Sequence, residues 1–211
     1  MKKLNTHKAL IIFTRNPEMG KVKTRLAKTI GDLAALKVYR KLLEHTLHIT
    51  RPLEVDKFVF YSEQIQENDH WDAAIYFKEL QNGVDLGERM YHAFELLFKK
   101  GYRQIVIVGS DIFELTTAGI QEAFTHLDST NYVVGPALDG GYYLLGMNTL
   151  KKKLFENKKW GTKTVLKETL KNLKQEQLVL LAAKNDIDTY DDLKKSSGFN
   201  QFLIAPLNKK T

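Results

Sequence analysis

Cations crowd one short stretch of this chain: Arg15, Lys21, Lys23, Arg25 and Lys28 surround a single glycine, Gly20. The stretch follows Ala9-Leu10-Ile11-Ile12-Phe13, an apolar run with the length and branching of a buried parallel strand. A strand that empties into a basic loop and then a helix is how α/β proteins hold phosphates. Backbone N–H groups and fixed cations offset the anion beyond the carboxyl end of the sheet. The loop is not a P-loop, which would need glycine at Arg15 and a hydroxyl at Val22. A solvated basic turn is the competing reading, and the strand-to-helix context favours phosphate.

Carboxylates recur at later strand ends. Gly109-Ser110-Asp111 follows Ile105-Val106-Ile107-Val108, so Asp111 projects past the sheet, where a hard cation such as Mg²⁺ could use it while bridging phosphate oxygens. A turn or cap aspartate explains Asp111 equally well. Asp139-Gly140-Gly141 precedes Tyr142-Tyr143; paired glycines suit close approach of a ligand, or a tight hairpin. In Asp186-Ile187-Asp188-Thr189 the alternation of an extended segment turns both aspartates to one side, which suits a shared metal. Thr189 and Asp192 form an N-cap pair, which leaves Asp186 and Asp188 without a structural task. Cations at the first strand end and acids at later ones are what metal-assisted phosphoryl or glycosyl transfer requires.

The elements that must position these groups alternate along the chain. Leu36, Tyr39, Leu43 and Leu47 mark a helix, with Asp32 as its expected N-cap. Strands are expected at 58–61 and 74–77, then a helix opened by Asp85-Leu86-Gly87-Glu88 in capping-box form and closed by Gly101. The strand at 105–108 and a helix near 119–127 follow, then strands near 132–134 and 142–145, a helix over 164–173 and a strand at 178–181. This alternation predicts a mostly parallel central sheet with helices on both faces. No linker or repeat divides it, so residues 1–211 are read as a single α/β domain, with a core of about 8–195 and a tail from 196 to 211. That tail, with Phe199, Phe202, Leu203 and Ile204, docks either on the domain or on a second copy.

Composition narrows the function classes. At 211 residues, 43% hydrophobic and 27% charged, the chain has an ordinary globular make-up. It lacks an apolar run long enough to span a membrane. It has no cysteine, hence no disulfide framework or thiolate metal site, and a reducing cytoplasm is its simplest home. The net charge of +7 comes from dispersed lysines such as Lys151-Lys152-Lys153, without a groove-reading motif, so nucleotides are expected as partners and nucleic acids are not.

Taken together, Arg15-Asn16-Pro17, Gly20 through Leu26, Asp85 through Met90, Gly109-Ser110-Asp111, Gly135-Pro136, Asp139 through Tyr143, Trp160-Gly161-Thr162 and Asp186 through Thr189 occur in an order that resembles a known family. It is the glycosyltransferase-like family of bacterial proteins in the nucleotide-diphospho-sugar transferase superfamily, with the GT-A fold. That superfamily includes guanylyltransferases of the phospholactate and molybdopterin-cofactor type, whose glycine-then-Thr-Arg loop Gly20–Arg25 resembles. The resemblance covers roughly residues 8–195. It implies a transferase dependent on Mg²⁺ or Mn²⁺, with a nucleotide or nucleotide-sugar donor and a small-molecule acceptor. It implies that Asp111, Asp186 and Asp188 bind the metal and that Lys23 and Arg25, with Arg15, Gly20 and Lys21, meet the phosphates. Asp139, Gly140 and Gly141 would line the acceptor side. The chain departs from the family at Phe113, where proline is usual, and at Gly161, where serine is usual. Nucleotidyl and glycosyl transfer both remain open, as does a nucleotide-binding or scaffold protein that has lost turnover.

Overall fold

Alternation along the apolar strands decides which helix covers which face of the sheet. The computed structural model of the protein describes residues 7–203. Strand β1 (Lys8–Thr14) is followed by helices α1 (Thr24–Ile30) and α2 (Asp32–Thr50), strands β2 (Asp56–Tyr61) and β3 (Tyr76–Leu80), and helix α3 (Leu86–Lys99). Next come β4 (Gln104–Gly109), α4 (Thr117–Leu127), β5 (Tyr132–Pro136), β6 (Tyr142–Met147), α5 (Val165–Asn172), β7 (Leu178–Leu180) and α6 (Tyr190–Lys195). Leu10 and Ile12 of β1, Val59 and Tyr61 of β2, and Val106 and Val108 of β4 turn to one face, against Leu36, Tyr39 and Leu43 of α2 and Phe124 of α4. The intervening Ala9, Ile11, Phe58, Phe60, Ile105 and Ile107 turn to the other, against Met90, Phe94 and Leu97 of α3.

The seven strands lie in the order β3-β2-β1-β4-β6-β5-β7. Strand β6 runs antiparallel to both β4 and β5; the other pairings are parallel. The result is the expected α/β domain with a mostly parallel sheet and helices on both faces.

Three local expectations shift. The third strand begins at Tyr76, because the Asp72 carboxylate accepts from the Ala74 N–H at 2.8 Å and holds 72–75 in a turn. Asp32 does not cap α2; Gly31 at φ 82 ends α1 and starts α2, and Asp32 becomes the first helical residue. In the Asp85 cap, the aspartate side chain accepts from the Glu88 N–H at 2.9 Å, but the Glu88 carboxylate reaches back to Val84 and not to Asp85. The described part of the tail docks on its own domain. Phe199 is fully buried with Leu26, Val38, Leu42, Ile187 and Leu193, while Ile204 lies outside the described residues.

Candidate active site

The order of the sheet reverses at β1, with β2 on one side and β4 on the other, and a crevice opens at the carboxyl ends of β1 and β4. A cleft of about 810 Å³ lies there. Arg15, Lys21, Lys23, Arg25, Asp111, Asp139, Gly141, Asp186 and Asp188 all line it. Gly20 and Gly140 are not among its lining residues. Gly140 has φ 95, and an ideal Cβ there would stand 2.5 Å from the Lys163 carbonyl oxygen; it fits the turn against the start of α5.

The loop after β1 is held from behind. Buried Asn16 accepts from the Glu63 N–H at 3.1 Å and donates to the Gln64 carbonyl at 2.8 Å. The Tyr39 hydroxyl accepts from the Arg15 N–H at 2.8 Å and lies 3.1 Å from Thr14 Oγ1 and 3.2 Å from Ser110 Oγ. One side chain of α2 thus ties together the carboxyl ends of β1 and β4. In the sequence Tyr39 reads only as a member of an apolar helix face, and Asn16 only as part of the Arg15-Asn16-Pro17 motif with no role assigned. A hydroxyl on that face and an amide buried in a charged loop were the available signals.

Cations and acids meet in pairs. Lys23 caps α1 in the left-handed region (φ 49), rare for a side-chain-bearing residue. Its side chain is 5% exposed, and Nζ stands 3.0 Å from Asp111 Oδ2. Burial alone would lower the Lys23 pKa, but the Asp111 and Asp188 charges outweigh it and raise it, so the ammonium persists. Arg25 Nη1 lies 3.0 Å from Asp188 Oδ2, which gives Asp188 the partner the sequence left unassigned. Lys21 is shared between Glu18 at 2.7 Å and Glu63 at 3.0 Å.

Asp186 has no ion-pair partner among the described residues. Burial, then the charges of Asp139 and Asp111, push its carboxyl up to about 6. The segment is fixed by a backbone bond from the Ile187 N–H to the Asp111 carbonyl (3.3 Å) and by a full capping box between Thr189 and Asp192. Asp139 spends one oxygen on the Gly141 N–H at 2.7 Å, the self-capped turn its sequence allows. Among the described residues no three His, Cys, Asp or Glu side chains form a set able to hold a metal ion by themselves. The donor set nonetheless fits a hard cation, because Mg²⁺ takes one or two carboxylates and completes its shell with substrate phosphates and water. Clustered carboxylates that repel one another are what such an ion relieves.

The family model described as "Uncharacterized protein conserved in bacteria (DUF2064)" matches residues 46–162. A crystal structure from Desulfovibrio desulfuricans G20, provisionally described as a nucleotide-diphospho-sugar transferase, is 32% identical over 89% of this chain and 85% of that one, with a TM-score of 0.82. Two structures at lower identity share the fold. The 4-diphosphocytidyl-2C-methyl-D-erythritol synthase of Anaerococcus prevotii DSM 20548 is 11% identical over 93% of this chain and 96% of that one, with a TM-score of 0.59. Rv0371c of Mycobacterium tuberculosis H37Rv, in complex with manganese, is 15% identical over 89% and 96%, with a TM-score of 0.54. No curated protein sequence matches the chain.

Proposed function

The chain belongs to the bacterial DUF2064 family and to the nucleotide-diphospho-sugar transferase superfamily of GT-A fold, and from that premise we propose that its cleft transfers a group from a nucleotide donor to a small-molecule acceptor. The observation that carries the proposal is the convergence of Lys23–Asp111 and Arg25–Asp188 over the switch point of the sheet. A donor's phosphates present the anionic oxygens that Lys23 and Arg25 now find in aspartates, so donor binding exchanges one set of charge-assisted contacts for another.

In this reading Lys23 and Arg25 hold the phosphates and stabilise charge that builds on the leaving diphosphate or pyrophosphate, with Arg15 and Lys21 at the rim. The buried, pre-set Lys23 ammonium needs no rearrangement of water as that charge develops, which is where a fixed cation is most effective. Asp111, Asp186 and Asp188 are the residues that would hold Mg²⁺ or Mn²⁺, which when bound neutralises phosphate oxygens. Asp139 and Gly141 lie on the acceptor side. The electrophile is the α-phosphorus for nucleotidyl transfer or the anomeric carbon for glycosyl transfer, and the run of cations, enough for a triphosphate, favours the former.

A thermal-shift panel of nucleoside triphosphates, diphosphates and nucleotide-sugars, each with and without Mn²⁺, tests this, because a ligand that binds the native state raises its midpoint by mass action. Metal-dependent stabilisation by triphosphates identifies nucleotidyl transfer, and by nucleotide-sugars glycosyl transfer; loss of either in Lys23→Ala or Arg25→Ala assigns the phosphate contacts. No shift with any nucleotide at millimolar concentration would sink the donor site.

A further inference from the structure

Two motifs of the sequence have no part in the donor reading: Asp85 through Met90, and Trp160-Gly161-Thr162. The fold brings them into contact. Gly87 on the first turn of α3 lies against Trp160, so closely that an ideal Cβ there would stand 2.5 Å from the indole nitrogen. Trp160 meets Tyr142 edge-on at 6.5 Å, and the Tyr142 hydroxyl points at Met90 Sδ at 3.7 Å. Tyr142, Trp160 and Met90 belong to the core on the α3 face of the sheet, so this wall rises opposite the loop that carries Lys23 and packs on the α2 face. Val84 and Leu86 extend it outward, 87% and 44% exposed, and both line the same cleft.

One cation stands in this apolar wall. Arg89, half-buried, lines the cleft and uses only its Nε, which donates to the Gly83 carbonyl at 3.0 Å. It makes no ion pair among the described residues. Its two acidic neighbours in sequence are committed elsewhere, Asp85 to the Glu88 N–H at 2.9 Å and Glu88 to the Val84 N–H at 3.0 Å. Of the cations of the opposite wall, Lys21, Lys23 and Arg25 each have a carboxylate, while Arg15 makes no ion pair among the described residues. A partly buried guanidinium with its outer nitrogens uncommitted calls for a planar or tetrahedral oxyanion, which its fork can meet with two bonds. The Tyr142 hydroxyl, partnered only by a thioether, is a second polar group with capacity to spare.

We propose that Arg89, Tyr142 and Trp160 form an acceptor subsite for a molecule with an apolar or planar body and an acidic group, carboxylate or phosphate. The acid pairs with Arg89, and the body lies on the wall of Val84, Leu86 and Trp160. Calling the ligand an acceptor rests on the donor reading above; the ligand chemistry rests on this wall alone.

The probes are 3-phenylpropionate, phenyl phosphate and the neutral 3-phenylpropanol. The readout is tryptophan fluorescence, since Trp71, the other of the two tryptophans, is buried in the opposite core. The expected result is saturable change with one or both acids, lost in Trp160→Phe, with the alcohol binding about tenfold or more weakly. Which acid binds tighter separates carboxylate from phosphate. Arg89→Gln abolishes the preference for acid over alcohol and Arg89→Lys retains part of it. Circular dichroism establishes that each variant is folded, and the thermal shift given by nucleotide with Mn²⁺ stays at its wild-type size. Equal binding of acid and alcohol, or an unchanged preference in Arg89→Gln, overturns the subsite. Loss of the nucleotide shift in Arg89→Gln also overturns it, because Arg89 would then be a donor ligand and the donor reading would stand. Acid binding at Trp160 with no response to any nucleotide would uphold the subsite while the donor reading fails.

Discussion

Asp186 stands among Asp139 and Asp111, and burial with those two charges holds its carboxyl at about 6 against an ordinary value of 3.8. The folded state therefore grips this proton more tightly than the unfolded chain does, and stability falls as pH rises through the window from 3.8 to about 6. Asp186→Asn removes that penalty. In chelator, the variant is expected to match the wild type near the acid end of the window and to exceed it above, by on the order of 1–2 kcal/mol once solvent screening of a half-buried group is allowed for. Denaturant titrations at several pH values check this, and an offset that does not change with pH would refute it. Tyr39 is a separate case. Tyr39→Phe leaves the Arg15 N–H without its 2.8 Å partner while the ring still packs. A loss of about 1–2 kcal/mol is expected in urea unfolding, with a smaller thermal shift from nucleotide because the loop loses its tether. Residue type alone made the cations and carboxylates visible in the sequence. Which aspartate Lys23 would meet was not visible, since Asp111 is supplied by a different strand and reaches it through the order of the sheet.

At the level of elements, the turn between β5 and β6 shows how a glycine shapes a cleft that it does not itself line. Gly140 presents the Asp139–Gly141 backbone to the cleft while its own α-carbon passes the Lys163 backbone, and the Leu166 N–H bonds to its carbonyl at 2.9 Å. Gly140→Ala combines a left-handed backbone with an overlap that neither segment can relieve by moving a side chain. A cost of roughly 2–4 kcal/mol is expected, read as a lowered urea midpoint; a loss below about 1 kcal/mol would mean that α5 shifts freely. Apolar spacing predicted the helices and most strands well, because period and capping residues are local. The late start of the third strand was not legible, because an aspartate side chain bonding two residues ahead overrode the run Ala74-Ile75. The direction of β6 was left open, since the Asp-Gly pair allowed a tight hairpin as one of two readings. A short hairpin with an Asp-Gly turn reverses the chain, and the α/β pattern around it suggested parallel neighbours.

On the scale of the whole molecule, the third core ties the end of the described chain to its beginning. Phe199 fills a space between α1, α2 and α6, and Lys41 donates to the Gly198 carbonyl beside it while lying 5.0 Å from the Phe199 ring. Phe199→Ala is expected to destabilise the protein by about 3–5 kcal/mol, the range for emptying a fully buried aromatic site. Nucleotide binding should weaken with it, because α6 carries the cap that orients Asp188. Calorimetric unfolding with and without nucleotide separates the two effects; an unaltered nucleotide response would uncouple the tail from the site.

The hydrogen bond from Ile187 to Asp111 also has a bearing on synthesis. A chain growing from its amino end lays down β1, β2, β3 and β4 first, and these neighbours can pair as they emerge. The basic loop and Asp111 then exist with only part of their surroundings. At roughly 5–20 residues per second, several seconds pass before Asp186 and Asp188 leave the ribosome and a little longer before Phe199 does. Until then Arg25 lacks its carboxylate, and the apolar faces of α1 and α2 that Phe199 will cover remain open. The cleft is therefore completed last, when Asp186 and Asp188 reach its floor and Phe199 closes the core behind them.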